Sequence, residues 1–223
     1  MGKKTQNAES IKYEPLSGLR GLTSPQILAG QAEKQGDHRT AIREKAFGIW
    51  QPYTWKEYLQ YARRVCLGLI SIGFRRGENI ALIIDNRPEW LFSELGAQAA
   101  GAVTVNLFTS TMAGELVYDL NRIHASFVFV EGRRQAEKIL AHRDALPGVR
   151  RVIFIDPTGM VIYKDDPWLL SFNQLLEMGK GLEQEDPDLF DRELWRGRPE
   201  DTAMMIMTSG TRGIPRPAVI SYK

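Results

Sequence analysis

The sequence predicts an α/β fold, a doubly wound and largely parallel sheet with flanking helices. Short apolar runs typical of strands open about 23 residues apart, and a helix-like segment fills each gap. The runs are apolar throughout instead of alternating with polar residues, which is typical of strands covered on both faces. These two observations indicate β-α units and a parallel sheet. The runs lie at 80–84, 102–107, 127–130 and 149–155.

The first 23 residues differ from the rest of the chain in composition. They mix Lys, Asn, Gly and Ser without periodicity, so we expect a loose N-terminal arm over residues 1–23. Order is expected to begin at Ser24, a good helix cap that is followed by Pro25 at a first-turn position. Residues 24–223 are then expected to form part of one large domain.

A hairpin and a capped helix are predicted ahead of the β-α series. Residues 40–43 and 48–50 have the pattern of a short hairpin. Thr54 and Glu57 have the spacing of a capping box, in which a hydroxyl and a carboxylate each bond a free backbone N–H at a helix start. The helices in the gaps between strands are expected at 88–100, 113–123 and 134–145.

The amino-acid composition changes after residue 156, where acidic, polar and Pro-containing segments predominate. These indicate surface structure around one short helix near 169–178, with residues 183–191 also at the surface. The run TAMMIM at 202–207 then predicts another buried strand. This strand leads the chain directly into the segment TSGTRGIPRP.

Composition and charge exclude several classes of protein. Of the 223 residues, 43% are hydrophobic and 25% are charged, which is ordinary for a globular protein and not for a disordered one. The 29 Lys and Arg residues nearly balance the 27 Asp and Glu residues, so the net charge of +2 argues against nucleic-acid binding. The three His residues are scattered without metal-ligand spacing, and no metal site is predicted from them.

Location is indicated by features that the sequence lacks. The single cysteine, Cys66, cannot form an intramolecular disulfide and fits a reducing compartment. The most apolar stretch, residues 95–108, is too short for a membrane span, and no secretory signal is recognised at the start. We therefore expect a cytoplasmic chain. Peripheral membrane contact is left open, and nothing in the sequence indicates an oligomeric state.

The segment after the predicted strand at 202–207 carries the clearest chemical signal. Three hydroxyl side chains, two glycines and two guanidinium groups lie within nine residues. Glycines let successive backbone N–H groups turn toward one anion, and Arg can grip phosphate oxygens in a fork. The same composition also suits a Gly-rich turn between two strands, in which Ser and Thr cap backbone groups. Composition alone does not separate a polyphosphate site from such a turn.

The motifs around this segment resemble those of a known family. TSGTRGIPRP is similar to the TSGTTGxPKG loop of the adenylate-forming ligases, a superfamily that includes acyl-CoA synthetases, peptide-synthetase adenylation domains and luciferase. Residues 53–58 resemble the opening helix of that family, and residues 76–81 resemble its turn into the first strand. The resemblance extends from about residue 24 to residue 223. Its nearest type is the long-chain fatty acyl-CoA synthetase.

The resemblance implies a reaction and its substrates. A carboxylate and ATP would give an acyl-adenylate and pyrophosphate, and CoA would then form a thioester, with Mg²⁺ sharing the phosphate charge. The substrates would be ATP, a fatty acid and CoA, and no nucleic acid. The family's loop wraps the β- and γ-phosphates, where fixed donors stabilise the charge of the leaving pyrophosphate. Transferred by position, the ATP phosphate-binding residues are Thr208, Ser209, Gly210, Thr211, Arg212, Gly213 and Arg216.

Three positions of the loop depart from the family pattern. Arg212 stands where the family usually has Thr, so a long cation either holds phosphate more firmly or obstructs it. Arg216 replaces Lys, which keeps the charge but exchanges a point ammonium for a planar fork. Pro217 stands where Gly is frequent and removes one backbone N–H.

The chain is also shorter than members of the family, which have more than twice its length. Adenine-, ribose- and carboxylate-binding motifs lie downstream in the family, as does the catalytic lysine. We therefore expect residues 24–223 to be the N-terminal part of the AMP-binding large domain, with catalytic residues beyond it, and the isolated chain to be inactive. Two alternatives stay open. One is a non-catalytic nucleotide- or protein-binding module that retains the fold; the other is a chain cut short, with an exposed apolar sheet edge.

Overall fold

A computed structural model describes residues 19–208 and 216–223. Its helices are α1 (Ser24–Gln35), α2 (Trp55–Ser71), α3 (Pro88–Ala99), α4 (Ala113–Arg122), α5 (Arg133–Leu140), α6 (Phe172–Glu185) and α7 (Leu189–Trp195). Its strands are β1 (Thr40–Ala46), β2 (Ile49–Thr54), β3 (Asn79–Ile83), β4 (Val103–Asn106), β5 (Ala125–Val130), β6 (Arg151–Phe154), β7 (Leu169–Ser171), β8 (Thr202–Thr208) and β9 (Arg216–Ser221). Residues 1–18 of the predicted N-terminal arm lie outside the described residues.

One large sheet organises this part of the chain. Its seven strands have the order β7-β6-β5-β3-β4-β8-β9, and β1 pairs with β2 in a separate hairpin. Neighbouring strands of the large sheet are parallel except for β9, which runs antiparallel to β8. The predicted largely parallel sheet is therefore confirmed.

Helices cover both faces of this sheet. Ile80 and Leu82 of β3 belong to a core that includes residues of α2, α3 and α6, whereas Ala81 and Ile83 belong to a second core with residues of α4 and α5. This arrangement follows from the strand order, because the connections from β3 to β4 and from β4 to β5 move in opposite directions along the sheet. Since such crossovers are right-handed, their helices lie on opposite faces. The doubly wound prediction is confirmed.

Side chains cap the first two helices. The capping box predicted at Thr54 and Glu57 is present: Thr54 Oγ1 accepts a hydrogen bond from Glu57 N at 3.1 Å, and Glu57 Oε2 accepts one from Thr54 N at 2.7 Å. The predicted cap of α1 at Ser24 was wrong by one residue. Thr23 caps this helix together with Gln26, whose amide nitrogen also donates to the carbonyl oxygen of Leu194 at 3.0 Å.

The region after residue 156 is more ordered than the sequence suggested. The helix expected near 169–178 begins at Phe172 and continues to Glu185, with β7 directly ahead of it. The acidic segment 183–191, which was assigned to the surface, contains the end of α6 and the start of α7, and Phe190 and Leu194 of α7 are buried. Both belong to the core that includes residues of α2, α3 and α6, and Phe190 lies beside α2, where the Arg63 guanidinium is 4.5 Å from its ring centroid.

The strand predicted at 202–207 forms as β8, but the expectation that it is buried was wrong. Ala203 is buried, whereas Ile206 is 47% exposed. The physical reason is that the faces of β8 are less covered. It lies with β9 at one end of the strand order, whereas the helices of the two cores pack mainly over the strands nearer the centre. Among the described residues, no helix satisfies the length and apolar character needed to cross a membrane.

Candidate functional site

The strand order creates a crevice at the carboxyl ends of β3 and β4. The chain leaves β3 toward α3 on one face and leaves β4 toward α4 on the other. Ligands of open α/β sheets bind at such switch points. A cleft of about 750 Å³ opens here, bounded by the loops after β3 and β4, by α3 and α4, and by the end of β8.

A second, smaller cavity lies at the amino end of β4. It has a volume of about 290 Å³ and is lined by Arg76, Asp201 and Tyr222 among others. Burial raises the pKa of the Tyr222 hydroxyl. Arg76 already donates from Nη2 to the carbonyl oxygen of Glu193 at 2.7 Å, so this side chain joins α7 to the turn ahead of β3. The larger cleft is therefore the better candidate for a substrate site.

A buried hydrogen-bond network forms one wall of the cleft. Glu94 of α3 is only 6% exposed, and its Oε1 accepts hydrogen bonds from Asn106 Nδ2 at 3.3 Å and from Thr104 Oγ1 at 3.4 Å. Trp90 Nε1 donates to Asn106 Oδ1 at 2.6 Å. The network ties α3 to β4 and fixes the orientation of the Asn106 amide.

Two carboxyl groups of the cleft hold protons more strongly than free side chains do. Burial raises the pKa of Glu94, and the hydrogen bonds from Asn106 and Thr104 partly oppose that rise. Burial also raises the pKa of Asp119, with a further contribution from nearby Glu115. Polar groups of this kind can orient a ligand that otherwise contacts the apolar walls of the cleft.

The raised pKa of Glu94 predicts a pH dependence of stability. Above its ordinary pKa, Glu94 in the unfolded chain has lost a proton that the folded chain still binds, so the free energy of unfolding falls as pH rises through this window. Glu94→Gln removes this titration. We expect its unfolding free energy, relative to wild type, to be higher at about pH 7 than at about pH 4.

Urea unfolding at several pH values measures this difference. Glu177→Gln is a matched control, because the Glu177 side chain is 71% exposed and its change should leave the profile unaltered. Parallel wild-type and Glu94→Gln profiles would contradict the prediction.

The described ends of the Gly-rich segment lie beside the cleft. Thr208 lines the cleft at the end of β8, and it pairs with Arg216, the first residue of β9. Thr208 Oγ1 donates to the carbonyl oxygen of Arg216 at 2.9 Å, so this hydroxyl closes the base of the hairpin in the present arrangement. Phosphate binding by Thr208 and Arg216 stays a prediction. The other predicted phosphate-binding residues lie outside the described residues: Ser209, Gly210, Thr211, Arg212 and Gly213.

Sequence reasoning did not single out Glu94 or Asn106. A usable signal was present, because Glu94 is the one carboxylate in the run LFSELGAQAA, where a charged side chain needs a buried partner. Cys66, interpreted from the sequence as a packed thiol, is fully buried, and burial raises its pKa. A neutral thiol without solvent access is a poor nucleophile, which supports that interpretation.

Comparison with known proteins identifies the family. The sequence model described as AMP-binding enzyme matches residues 28–223. The chain belongs to the AMP-binding enzyme family. The resemblance recognised in the loop and in the opening helix is therefore confirmed.

Relatives in the AMP-binding family include long-chain-fatty-acid–CoA ligases. The chain is 26% identical to ACSBG2 of Xenopus laevis over 218 residues, which cover 95% of this chain and 28% of the relative. It is 29% identical to heimdall of Drosophila melanogaster over 203 residues, which cover 90% of this chain and 30% of the relative. The chain thus spans less than a third of the length of these ligases.

A solved structure supports the same fold. The anthranilate CoA ligase AuaEII, determined in complex with anthranoyl-AMP, matches with a TM-score of 0.73 and 22% identity, over 94% of this chain and 36% of that protein. At this level of identity the likeness supports the fold. The fold of this AMP-binding chain is therefore that of the corresponding part of an adenylate-forming ligase.

Proposed function

We propose that this chain is the N-terminal part of an ATP-dependent acyl-CoA ligase that acts on fatty acids in the cytoplasm. A carboxylate oxygen would attack the α-phosphorus of ATP, and the bond to the β-phosphate would break to release pyrophosphate. The CoA thiol would then lose its proton and displace AMP from the acyl-adenylate. The observation that supports this proposal most strongly is the position of Thr208, which lies at once in the cleft wall and at the base of the Gly-rich segment.

The connection between β8 and β9 is suited to polyphosphate. Its sequence supplies hydroxyl groups, glycines and Arg212, and it begins at the edge of the sheet where the cleft opens. Preorganised donors there would stabilise negative charge as pyrophosphate leaves. No cluster of three or more His, Cys, Asp or Glu residues suited to a metal ion occurs in the described ranges. In this proposal Mg²⁺ enters the site bound to the ATP phosphates, which is how this ion often binds to proteins.

The fatty-acid class is supported by the relatives and by the cleft. Both reported curated relatives are named as long-chain-fatty-acid–CoA ligases. Leu107, Phe108, Met204 and Ile206 contribute apolar side chains to the cleft, and an alkyl chain can bury its surface against such residues. Glu94 and Asp119 would add polar groups to this mainly apolar lining.

Binding of MgATP to the purified chain tests the phosphate loop. We expect Arg212→Ala to weaken binding by roughly 10- to 100-fold, because a hydrogen bond to a charged group contributes about 1.5–3 kcal/mol. Ser209→Ala should weaken it less. Arg122→Ala is a matched control, since Arg122 is exposed in the last turn of α4, near the amino end of β3 and away from the cleft. Isothermal titration calorimetry measures the affinities.

Two results would contradict phosphate binding by this loop: no binding of MgATP by the wild-type chain, or equal binding by the wild-type chain and Arg212→Ala. Catalysis is tested separately with the native gene product isolated from its source. Fatty-acid-dependent exchange of labelled pyrophosphate into ATP is expected there. MgATP binding without exchange would instead support the non-catalytic nucleotide-binding module.

A further inference from the structure

The hairpin of β1 and β2 ends in an unusual turn. Phe47 and Gly48 connect the strands with φ angles of 53° and 80°. Two-residue turns with positive φ at both positions strongly favour Asn-Gly, because Asn tolerates the left-handed region and a bulky residue does not. Phe47 is nevertheless at this position, with its ring fully exposed. In the free hairpin, Phe47 has an unfavourable backbone conformation and exposes an apolar ring to water. Both effects indicate that the ring contacts another molecule.

The residues beside the turn extend this apolar tip. Ile49 is 61% and Trp50 is 62% exposed. Lys45 pairs directly with Trp50 in the hairpin, so these two side chains lie on the same face. Arg43, two residues before Lys45, shares that face because side chains alternate along a strand. The outer face of the tip therefore combines an aromatic residue with two cations.

The two cations are available for an external anion. Arg43 and Lys45 are exposed and form no salt bridge within residues 19–208 and 216–223. The acidic residue between them, Glu44, lies on the opposite face of the strand. The outer face thus carries positive charge that a negatively charged surface would complement.

The base of the hairpin is held firmly by the core. Ile42 and Tyr53 pack against the cluster that contains α2 and α3. The Tyr53 ring lies 5.4 Å from the Phe92 ring, edge to face. The tip is therefore a convex projection from an anchored base, and its position relative to the sheet is fixed.

We propose that this tip, residues 43–50, is a contact site for a membrane surface that contains anionic lipids. Phe47 and Trp50 would enter the interface between headgroups and acyl chains, where aromatic rings are favoured. Arg43 and Lys45 would contact lipid phosphates. A narrow convex tip favours lipid over a protein partner, because stable protein interfaces bury about 800 Å² per partner. The proposal does not depend on ligase activity.

Sedimentation of the full chain with vesicles tests the site. The vesicles contain phosphatidylcholine with either one third phosphatidylserine or none. We expect Phe47→Asn to reduce binding to the anionic vesicles about tenfold or more, because it removes the burial of a large apolar side chain. Lys45→Glu should also reduce binding to the anionic vesicles. This loss should be larger at low salt than at high salt, because salt screens the attraction between charges. Phe47→Asn restores the favoured turn sequence, so thermal unfolding should show that the fold is intact.

Val161→Asn is the matched control, because Val161 is 72% exposed and lies outside the hairpin. It should leave vesicle binding unchanged. Absence of wild-type binding to anionic vesicles would overturn the proposal, and so would equal binding by wild type and Phe47→Asn. Cross-linking from position 47 provides the other readout: a protein captured there, without vesicle binding, would assign the tip to a protein partner and reject the lipid surface.

Discussion

Replacement of Gly179 by alanine is expected to lower the free energy of unfolding by about 3 kcal/mol, the upper part of the range for overpacking a core. Gly179 lies where α6 crosses α2 at backbone contact. A Cβ atom there would be 2.0 Å from the carbonyl oxygen of Arg64 and 2.9 Å from the nitrogen of Gly68. Both obstacles are backbone atoms, so the helices must separate to admit the methyl group.

Gly181 is a control in the same helix. A Cβ atom at this position meets nothing within 4 Å. Gly181→Ala should therefore raise stability by roughly 0.5–1 kcal/mol, since alanine has the higher helix propensity. Urea unfolding measures both variants, and the Gly179→Ala protein should melt roughly 6–12 °C lower than wild type. Effects of the same sign at the two positions would contradict the close helix crossing.

Phe92→Ala is expected to lower the free energy of unfolding by about 4 kcal/mol, through lost burial and the cavity that remains. Phe92 is 1% exposed and stacks on Tyr61, with ring centroids 4.3 Å apart and nearly parallel planes. Tyr53 and Tyr58 contact the same ring from other sides. Since α3 also carries Glu94, the change should loosen one wall of the cleft as well as the core.

Phe108→Ala is the matched control for this variant. Phe108 is 82% exposed, so removal of its ring should change stability by less than about 0.5 kcal/mol. Denaturant unfolding of both proteins measures the difference. A loss below about 1 kcal/mol for Phe92→Ala would mean that the surrounding tyrosines repack and that the aromatic cluster does not hold α3 in place.

The main sheet could be predicted because its strands are buried on both faces. A strand such as β5 has few ways to hide its apolar residues other than between two layers of helices, so composition alone indicates its environment. The helix starts were predictable for the same kind of reason, because Thr54 and Glu57 satisfy backbone groups locally. At α1, Ser24 and Thr23 are both competent caps, and the contact of Gln26 with Leu194 favours Thr23.

The outer elements were harder to predict because distant contacts determine them. Strand β7 has three residues and exists because it pairs with β6. Helix α7 is short and acidic, and Phe190 and Leu194 make it part of the core only when α1, α2 and α3 are beside it. The apolar run of β8 indicated a buried strand, but its degree of burial depends on what lies next to it in the sheet.

The part of the candidate site whose residues are consecutive in the sequence was predictable. The part that the fold assembles from separate segments was not. The hydroxyl groups, glycines and arginines of the Gly-rich loop lie within one short stretch of sequence, so a phosphate site could be predicted from it. Glu94 and Asn106 lie twelve residues apart in the sequence, on a helix and a strand, and only the switch point at β3 and β4 brings them together. Their surroundings resemble ordinary core sequence, so a buried carboxylate was easily overlooked.

The pairing of β4 has a consequence for the order in which the protein is made. β3 pairs with β4 and β5, which follow soon after it, whereas Thr104 of β4 pairs with Met204 of β8. During synthesis from the N-terminus, β4 therefore waits with an open backbone edge while nearly a hundred further residues leave the ribosome. An unpaired edge can recruit strands from other chains. Strand β8, which completes the cleft, thus also covers this open edge of β4.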